Sequence, residues 1–113
     1  MATDCIFCKI VAGEIPAAVV RRTDRLVAFR DVSPQAPVHI LVIPTEHIAS
    51  LQEVRDGRLV GDMLIMARDI ARDEQIAENG YRVVLNINRD GGQTVFHLHV
   101  HLLGGRRLTW PPG

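Results

Sequence analysis

The chain has 113 residues, of which 47% are hydrophobic and 23% charged, and its formal net charge is zero with histidine counted as neutral. This length suits one domain over residues 1–113, and the composition excludes intrinsic disorder. The charge balance argues against binding to nucleic acid or to an anionic membrane, and apolar stretches stop short of membrane-spanning length. Residues 1–4 resemble no secretory signal, so we expect a cytoplasmic protein.

Two helices are predicted. The first spans Cys5–Ala12, with Asp4 as its cap, and buries an apolar stripe formed by Ile6, Phe7, Ile10 and Val11. The second and longer helix spans 56–78, where apolar residues recur at helical spacing and Asn79-Gly80 provides a stop signal.

Five strands are predicted by their β-branched and alternating patterns, over residues 17–22, 26–29, 38–43, 81–88 and 96–103. The order of the elements predicts an α+β fold, with an antiparallel sheet of about five strands covered by the two helices. A domain of this size has a limited core, so an apolar strand and the long helix favour a homodimer that would cover them.

Three histidines alternate near the end of the chain, at His97, His99 and His101. Because side chains on a β-strand alternate between its two faces, a strand here would place the three imidazoles on one face. The apolar residues between them would face a core. A lone histidine in such a run is usually structural, but three adjacent imidazoles need hydrogen-bond partners, a metal ion or an anion.

A glycine-rich turn at Asp90–Gly92 precedes the histidines. Successive N–H groups in such a turn can bind an anion, and the Thr94 hydroxyl can add a hydrogen bond, although the turn alone reads as an ordinary hairpin connection. Beside the histidines, a phosphate site is the better interpretation. A neutral imidazole is a nucleophile toward phosphorus, so attack would give a phosphoryl- or nucleotidyl-histidine that water then releases.

Residues 97–103 match the His-x-His-x-His-x-x motif in which x is hydrophobic, and over nearly its whole length the chain resembles the histidine triad (HIT) superfamily. Other matches are Asp31–Pro37, Val42–Pro44 and the Gly-Gly-Gln turn. That turn and the tail Trp110–Gly113 resemble the Hint branch, the purine nucleoside phosphoramidases. The resemblance implies hydrolysis of purine nucleoside 5′-phosphoramidates and aminoacyl-adenylates to a nucleoside monophosphate and an amine. The alternatives are a dinucleoside polyphosphate hydrolase and a nucleotide-binding interaction module with little turnover.

The resemblance also implies roles for individual residues. His99 matches the family nucleophile, and His101 and His97 are the other catalytic histidines. The nucleotide-binding positions are Asp31, Val32, Ile6, Phe7, Ile10, Phe29, Asn86, Gly92, Thr94, Val95, His99 and His101, with Asp31 on the ribose and the apolar residues around the purine. Without the resemblance, these secondary positions read as ordinary turn, core and strand-end residues. His39 matches the pattern too, and we interpret it as structural.

The family's homodimer has a sheet that continues across the interface, and its tail reaches toward the partner's site. The resemblance therefore places Trp110 near the leaving group in the partner's site, with a purine nucleotide as the substrate.

Cys5 and Cys8 form a Cys-x-x-Cys pair at the start of the first helix, where i,i+3 spacing puts both thiols on one face. Two thiolates need two more ligands for tetrahedral zinc. The zinc-bearing relatives, mainly bacterial, complete such a site at positions that match His47 and His97. The resemblance thus implies a structural zinc ion and no organic cofactor. A redox pair and plain buried thiols are the alternatives. If zinc takes His97, the chemistry rests on His99 and His101.

Overall fold

The computed structural model describes residues 4–113. The prediction that residues 1–4 are no secretory signal therefore falls mostly outside the described residues. The elements are α1 (Ile6–Val11), β1 (Val19–Arg22), β2 (Leu26–Arg30), β3 (Val38–Pro44), a 3₁₀ turn (Leu51–Glu53), α2 (Gly57–Asp73), β4 (Tyr81–Val84) and β5 (Val100–Gly104). The strands form one antiparallel sheet in the order β1-β2-β3-β5-β4. The predicted α+β fold is confirmed. Within residues 4–113, no helix is long and apolar enough to cross a bilayer.

Helix α2 covers one face of the sheet. Asp56 caps it, because its side chain accepts a hydrogen bond from the Arg58 N–H at 3.0 Å. The buried side of α2 packs against alternate residues of the central strands, and this core includes Ile40, Val42, Leu98, Val100 and Leu102. The predicted apolar side of the histidine run is therefore confirmed.

Helix α1 packs against the opposite face, where Phe7 and Ile10 meet Phe29, Leu41 and other apolar residues of β2 and β3. Successive side chains point to opposite faces, so the histidines that alternate with the α2-facing residues lie on the α1 side. In the pairing of β3 with β5, Leu41 is opposite His101. The sheet thus separates a dry core under α2 from a face that carries imidazoles under α1.

The predicted strand over 96–103 is wrong at its beginning, because β5 starts at Val100. The Leu98 N–H donates to the Ile48 carbonyl in a loop, at 2.7 Å, rather than to a neighbouring strand. Strand β4, which pairs with β5, is also shorter than predicted. The strand expected over 81–88 ends at Val84, which pairs with His101, and only one residue of β5 precedes that pair. The first strand begins at Val19, two residues later than predicted.

The helix bounds also differ from the predictions. Cys5 caps α1 in place of Asp4, since its Sγ accepts a hydrogen bond from the Cys8 N–H at 3.3 Å. Ile6, assigned to the buried stripe, is 47% exposed, whereas Cys8 is buried. The second helix ends at Asp73 rather than at residue 78, because Gln75 adopts a left-handed conformation with φ of 61°.

Gly91→Ala should destabilise the fold. A Cβ atom at this position would lie 2.8 Å from the Ile87 nitrogen and closer still to the Ile87 carbonyl oxygen, so the turn would have to open. We expect the free energy of unfolding to fall by about 1–3 kcal/mol in urea denaturation. Gly61→Ala is the matched control: its Cβ enters open space within α2, and we expect a gain of up to about 1 kcal/mol. Equal effects from the two changes would contradict this account.

Candidate active site

A cleft of about 450 Å³ lies on the α1 side of the sheet. Its lining includes most of the predicted nucleotide-binding residues, namely Ile6, Phe7, Ile10, Phe29, Asp31, Val32, Thr94, Val95, His99 and His101. Two other cavities, of about 500 and 730 Å³, are lined by none of the three triad histidines. The cleft is therefore the candidate active site.

Two predicted binding residues, Asn86 and Gly92, are not part of the cleft lining. Two of the turn amides that were expected to bind an anion already donate hydrogen bonds within the turn. Gly92 donates to the Arg89 carbonyl and Gln93 to the Asn88 carbonyl, both at 3.0 Å. With φ of 85°, Gly92 serves the geometry of the turn.

The buried amide of Gln93 is a contribution that the sequence reasoning missed. Its Oε1 accepts from the Asn88 N–H at 2.9 Å, and its Nε2 donates to the carbonyls of Ala49 at 2.8 Å and Val95 at 3.1 Å. The side chain thus ties the glycine turn to the segment that leads to the histidines. The Gly-Gly-Gln match was its only signal in the sequence.

The cleft lining contains further residues that were not predicted: Ile15, Pro16, Ala17, Arg30, Ser33, Gln35, His39 and Leu41. His39 was interpreted as structural, yet its side chain reaches the triad. A signal for this existed, because His39 and Leu41 are two apart on one strand and must share a face.

His99 has a defined protonation pattern. Its Nδ1 lies 2.7 Å from the His97 carbonyl oxygen, which can only accept, so Nδ1 carries the proton and Nε2 keeps a lone pair. The side chain is buried, with 7% of the residue exposed, and burial lowers the pKa of His99. Phe7 packs edge-on against its ring, with 5.2 Å between centroids. His99 therefore has a neutral ring of fixed orientation, with a free lone pair on Nε2.

His101 belongs to a chain of hydrogen bonds. The Gln35 N–H donates to His39 Nδ1 at 3.0 Å, which leaves the proton of neutral His39 on Nε2. That Nε2 donates to His101 Nδ1 at 2.9 Å, so His101 carries its own proton on Nε2. Burial, with help from the neighbouring His99 and His39, lowers the pKa of His101 to about 4. The cleft thus presents one imidazole lone pair and one imidazole N–H.

Asp31 lies at the edge of this chain. Its Oδ1 accepts from the Ser33 N–H at 2.8 Å, as the turn-capping interpretation requires, and its Oδ2 lies 3.4 Å from His39 Nε2. Asp31, His39 and His101 are close enough together to suggest a metal site. The protonation pattern argues against a metal ion here. The Nε2 of His39, which faces Asp31 and His101, carries a proton and cannot donate a lone pair to an ion.

Cys5, Cys8, His47 and His97 form a second cluster, whose ligand atoms all lie within 4.8 Å of one another. His97 Nδ1 is 3.4 Å from Cys5 Sγ and 3.5 Å from Cys8 Sγ, and His47 Nδ1 is 3.2 Å from Cys8 Sγ. The His97 Nε2 donates to the Pro44 carbonyl at 2.8 Å, so its Nδ1 lone pair faces the sulfurs. The Pro44 carbonyl therefore fixes the orientation of the His97 ring, as hydrogen bonds to the other ring nitrogen do in metal-ligating histidines.

This donor set fits zinc. Bond lengths of about 2.3 Å to sulfur and 2.0–2.1 Å to nitrogen in a tetrahedron put S and N about 3.6 Å apart, close to the separations in the cluster. In the chain itself, burial and the neighbouring Cys5 raise the pKa of Cys8 to about 11. A raised pKa disfavours the thiolate form that binds a metal ion. A divalent cation would reverse this preference, because it stabilises the thiolate. The four residues could therefore hold a metal ion.

The model of the HIT domain family matches residues 12–108 of the chain. The chain belongs to the HIT family. It is 50% identical over 110 residues to the purine nucleoside phosphoramidase of Escherichia coli K12, with 96% of this chain and 92% of the relative covered. Both the predicted family and the hydrolase class are confirmed.

Solved HIT structures have the same fold. A HIT family hydrolase from Legionella pneumophila superposes with a TM-score of 0.94 at 53% identity, with 97% of this chain and all of that chain covered. A zinc-bound histidine triad protein from Mycobacterium smegmatis superposes with a TM-score of 0.85 at 29% identity, with 94% and 78% covered. The fold of this HIT chain thus occurs in a relative that holds zinc.

The buried histidines should make folding sensitive to acid. An unfolded histidine binds a proton below about pH 6.5, whereas His101 stays neutral to about 4, so the unfolded state binds more protons in this window. The free energy of unfolding should therefore fall as the pH drops, by up to about 3 kcal/mol from His101. Urea denaturation at about pH 7, 6 and 5 measures the slope. His101→Asn should show a shallower slope, and parallel pH profiles would refute this assignment.

Proposed function

We propose that this HIT chain hydrolyses purine nucleoside 5′-phosphoramidates and aminoacyl-adenylates to a nucleoside monophosphate and an amine. The observation that carries the proposal is the oriented lone pair on His99 Nε2, in a cleft that also presents the His101 N–H. The activity named for the E. coli relative supports the same substrate class.

In the first step, the lone pair of His99 Nε2 attacks the α-phosphorus and the P–N bond breaks. The leaving nitrogen takes a proton from His101 Nε2 after the hydrogen-bonded His39–His101 pair has taken up one proton from solvent, so the pair ends the step neutral. Negative charge on a bound phosphate favours proton uptake by His101 and offsets the burial that lowers its pKa. Release of the neutral amine makes this step irreversible in dilute solution.

In the second step, water attacks the phosphorus of nucleotidyl-His99. The P–N bond to His99 breaks, and the water proton returns to the His101 ring. The His97 carbonyl holds the Nδ1 proton of His99 throughout, so the nucleophile regains the same tautomer after each turnover. In this proposal His99 is the nucleophile, His101 is the acid and base, and His39 positions His101.

The walls of the cleft suit a nucleotide. The apolar group formed by Ile6, Phe7, Ile10 and Phe29 would enclose the purine base, and Asp31 would accept hydrogen bonds from the ribose hydroxyls. Thr94 and Val95 lie in the lining on the side of the triad segment, where the phosphate would bind. Asn86 and Gly92 lie outside this lining, and in this proposal they contact the ribose and the phosphate from its edge.

We also propose a cytoplasmic homodimer. Strand β4 is an edge of the sheet, and Trp110 is 81% exposed on the tail, where the Thr109 carbonyl accepts from Arg82 at 2.9 Å. A second copy that pairs with β4 would continue the sheet and bring Trp110 toward the partner's leaving-group site. The two free thiols are consistent with a reducing compartment.

His99→Ala tests the mechanism. Turnover of adenosine 5′-phosphoramidate should fall by about 10³-fold or more, whereas the Kd for AMP should change little, because the purine and ribose contacts remain. Steady-state kinetics and calorimetry give the two quantities.

The comparison substrate is diadenosine tetraphosphate, and Asp90→Asn on the exposed turn is the control variant, with wild-type kinetics expected. Faster cleavage of the tetraphosphate would favour the dinucleoside polyphosphate hydrolases. Tight AMP binding with negligible turnover of both substrates would favour an interaction module. Full activity in His99→Ala would exclude the covalent mechanism.

Zinc binding is tested by metal content. We propose that Cys5, Cys8, His47 and His97 hold one structural zinc ion per chain. Cys8→Ser should lose most of this zinc and lower the Tm by several degrees, since metal binding is coupled to folding. His39→Gln is the matched control, because it alters only the second group of possible ligands and should keep its zinc. Equal zinc loss in both variants would contradict the assignment.

A further inference from the structure

His97 connects the cysteine pair to the nucleophile. Its Nδ1 lies 3.4 Å from Cys5 Sγ and 3.5 Å from Cys8 Sγ, while its carbonyl accepts the Nδ1 proton of His99 at 2.7 Å. The side chain and the backbone of one residue therefore belong to two clusters. A change that moves the His97 ring is therefore expected to shift the His97 carbonyl, which orients His99.

The segment around His97 is held by contacts outside the sheet, one of which joins His97 Nε2 to the Pro44 carbonyl at 2.8 Å. It precedes β5, so the hydrogen bonds of the sheet do not fix it, and the Leu98 N–H bonds to a loop carbonyl. Helix α1 provides a second route, because it carries both Cys8 and Phe7. The Phe7 ring contacts the rings of His97 and His99 edge-on, with centroids 5.9 and 5.2 Å apart.

We propose that Cys5 and Cys8 are positioning residues for His99, and that oxidation of the pair to a disulfide switches the active site off. The inference rests on the proposed function, because it concerns the same nucleophile. The oxidant is a peroxide. One cysteine sulfur attacks a peroxide oxygen, the O–O bond breaks, and sulfenic acid and one water form. The second thiol then attacks that sulfur and releases the other water. Two thiols lose two electrons and two protons, and one peroxide becomes two waters.

The two cysteines have different environments. Cys5 is partly exposed at the helix cap, whereas Cys8 is buried. Cys5 is therefore the residue that meets the peroxide first, and Cys8 resolves the sulfenic acid. The pair has the i,i+3 spacing of a helix start, and the Cys8 N–H already contacts Cys5 Sγ at 3.3 Å.

A disulfide would break the contacts that hold His97. An S–S bond of about 2.05 Å draws the two sulfurs together and away from the imidazoles, so Cys8 Sγ leaves His47 Nδ1. The Nδ1 of His97, a residue with no exposed surface, then loses both sulfur partners. An unpaired buried nitrogen is costly, so we expect the ring to turn, at the expense of its bond to the Pro44 carbonyl, and to displace the carbonyl under His99. The oxidised sulfurs are also lost as thiolate ligands for a metal ion.

The test uses the wild-type full chain, loaded with one equivalent of Zn²⁺, before and after treatment with hydrogen peroxide. Intact mass reports loss of two hydrogens, and a chromogenic chelator reports released zinc. We expect kcat for adenosine 5′-phosphoramidate to fall about tenfold or more, while KM and the Kd for AMP change by less than about threefold. The ¹⁵N resonances of the His99 ring should shift, because they report its tautomer and hydrogen bond. Dithiothreitol should restore all of these values.

The double variant Cys5→Ser/Cys8→Ser is the control, since it has no thiol that peroxide can oxidise, and peroxide should leave its kcat at the untreated value. Dithiothreitol separates the disulfide from methionine sulfoxide at Met63 or Met66, which it does not reduce. A disulfide that leaves kcat and the His99 resonances unchanged overturns the proposal, as does failure of the disulfide to form. If the reduced chain does not cleave the phosphoramidate, the proposed function fails, and the His99 resonances still decide whether the cysteines control the nucleophile.

Discussion

Strict alternation along β3 and β5 is the constraint on which the rest of the structure depends. Ile40, Val42, Val100 and Leu102 point to α2 and form the dry core, so the residues between them must point to α1. Burial on one face thereby forces His39 and His101 together on the other. A one-residue slip between the two strands would bury imidazoles under α2 and expose the core, so the stability of the fold and the assembly of the site have one origin.

Backbone carbonyls determine the chemistry of the imidazoles. The carbonyl of Pro44 holds a proton on His97 Nε2, and the carbonyl of His97 holds one on His99 Nδ1. These two bonds turn opposite nitrogens toward the ligand side, so one histidine offers Nδ1 to the cysteines and the next offers Nε2 to the cleft. His97 and His99 therefore present different nitrogens, although both are histidines with the same intrinsic pKa.

The fold could be predicted from the sequence because periodicity reports burial directly. The number of strands, their antiparallel arrangement and the two helices follow from local patterns, and the family follows from the triad and its flanking motifs. The ends of the elements could not be predicted, because side chains compete with the backbone there. Cys5 replaces Asp4 as a cap through a sulfur contact. The strand before Val100 is lost to contacts with distant loops.

The site was only partly predictable for the same reason. Most of the cleft lining matches the family positions, but the role of His39 depends on the Gln35 N–H, a backbone donor that residue patterns do not reveal. Similarly, the turn amides at Gly92 and Gln93 looked free in the sequence, yet both close the turn itself. Hydrogen bonds that join residues far apart in the chain decide these details, and local spacing carries no information about them.

The boundary at which β5 begins has a further consequence for how a covalent enzyme accommodates its own adduct. His101 lies inside the ladder and is held by both neighbouring strands, whereas His99 lies just before it. A nucleotide bonded to the His99 ring needs space that the free enzyme does not have to provide. Because the Leu98 N–H bonds to a loop carbonyl rather than to a strand, movement on the His99 side would leave the hydrogen bonds of β5 intact. In the proposed mechanism, His101 would keep its place in the sheet while His99 alone follows the phosphorus between its two bonding partners.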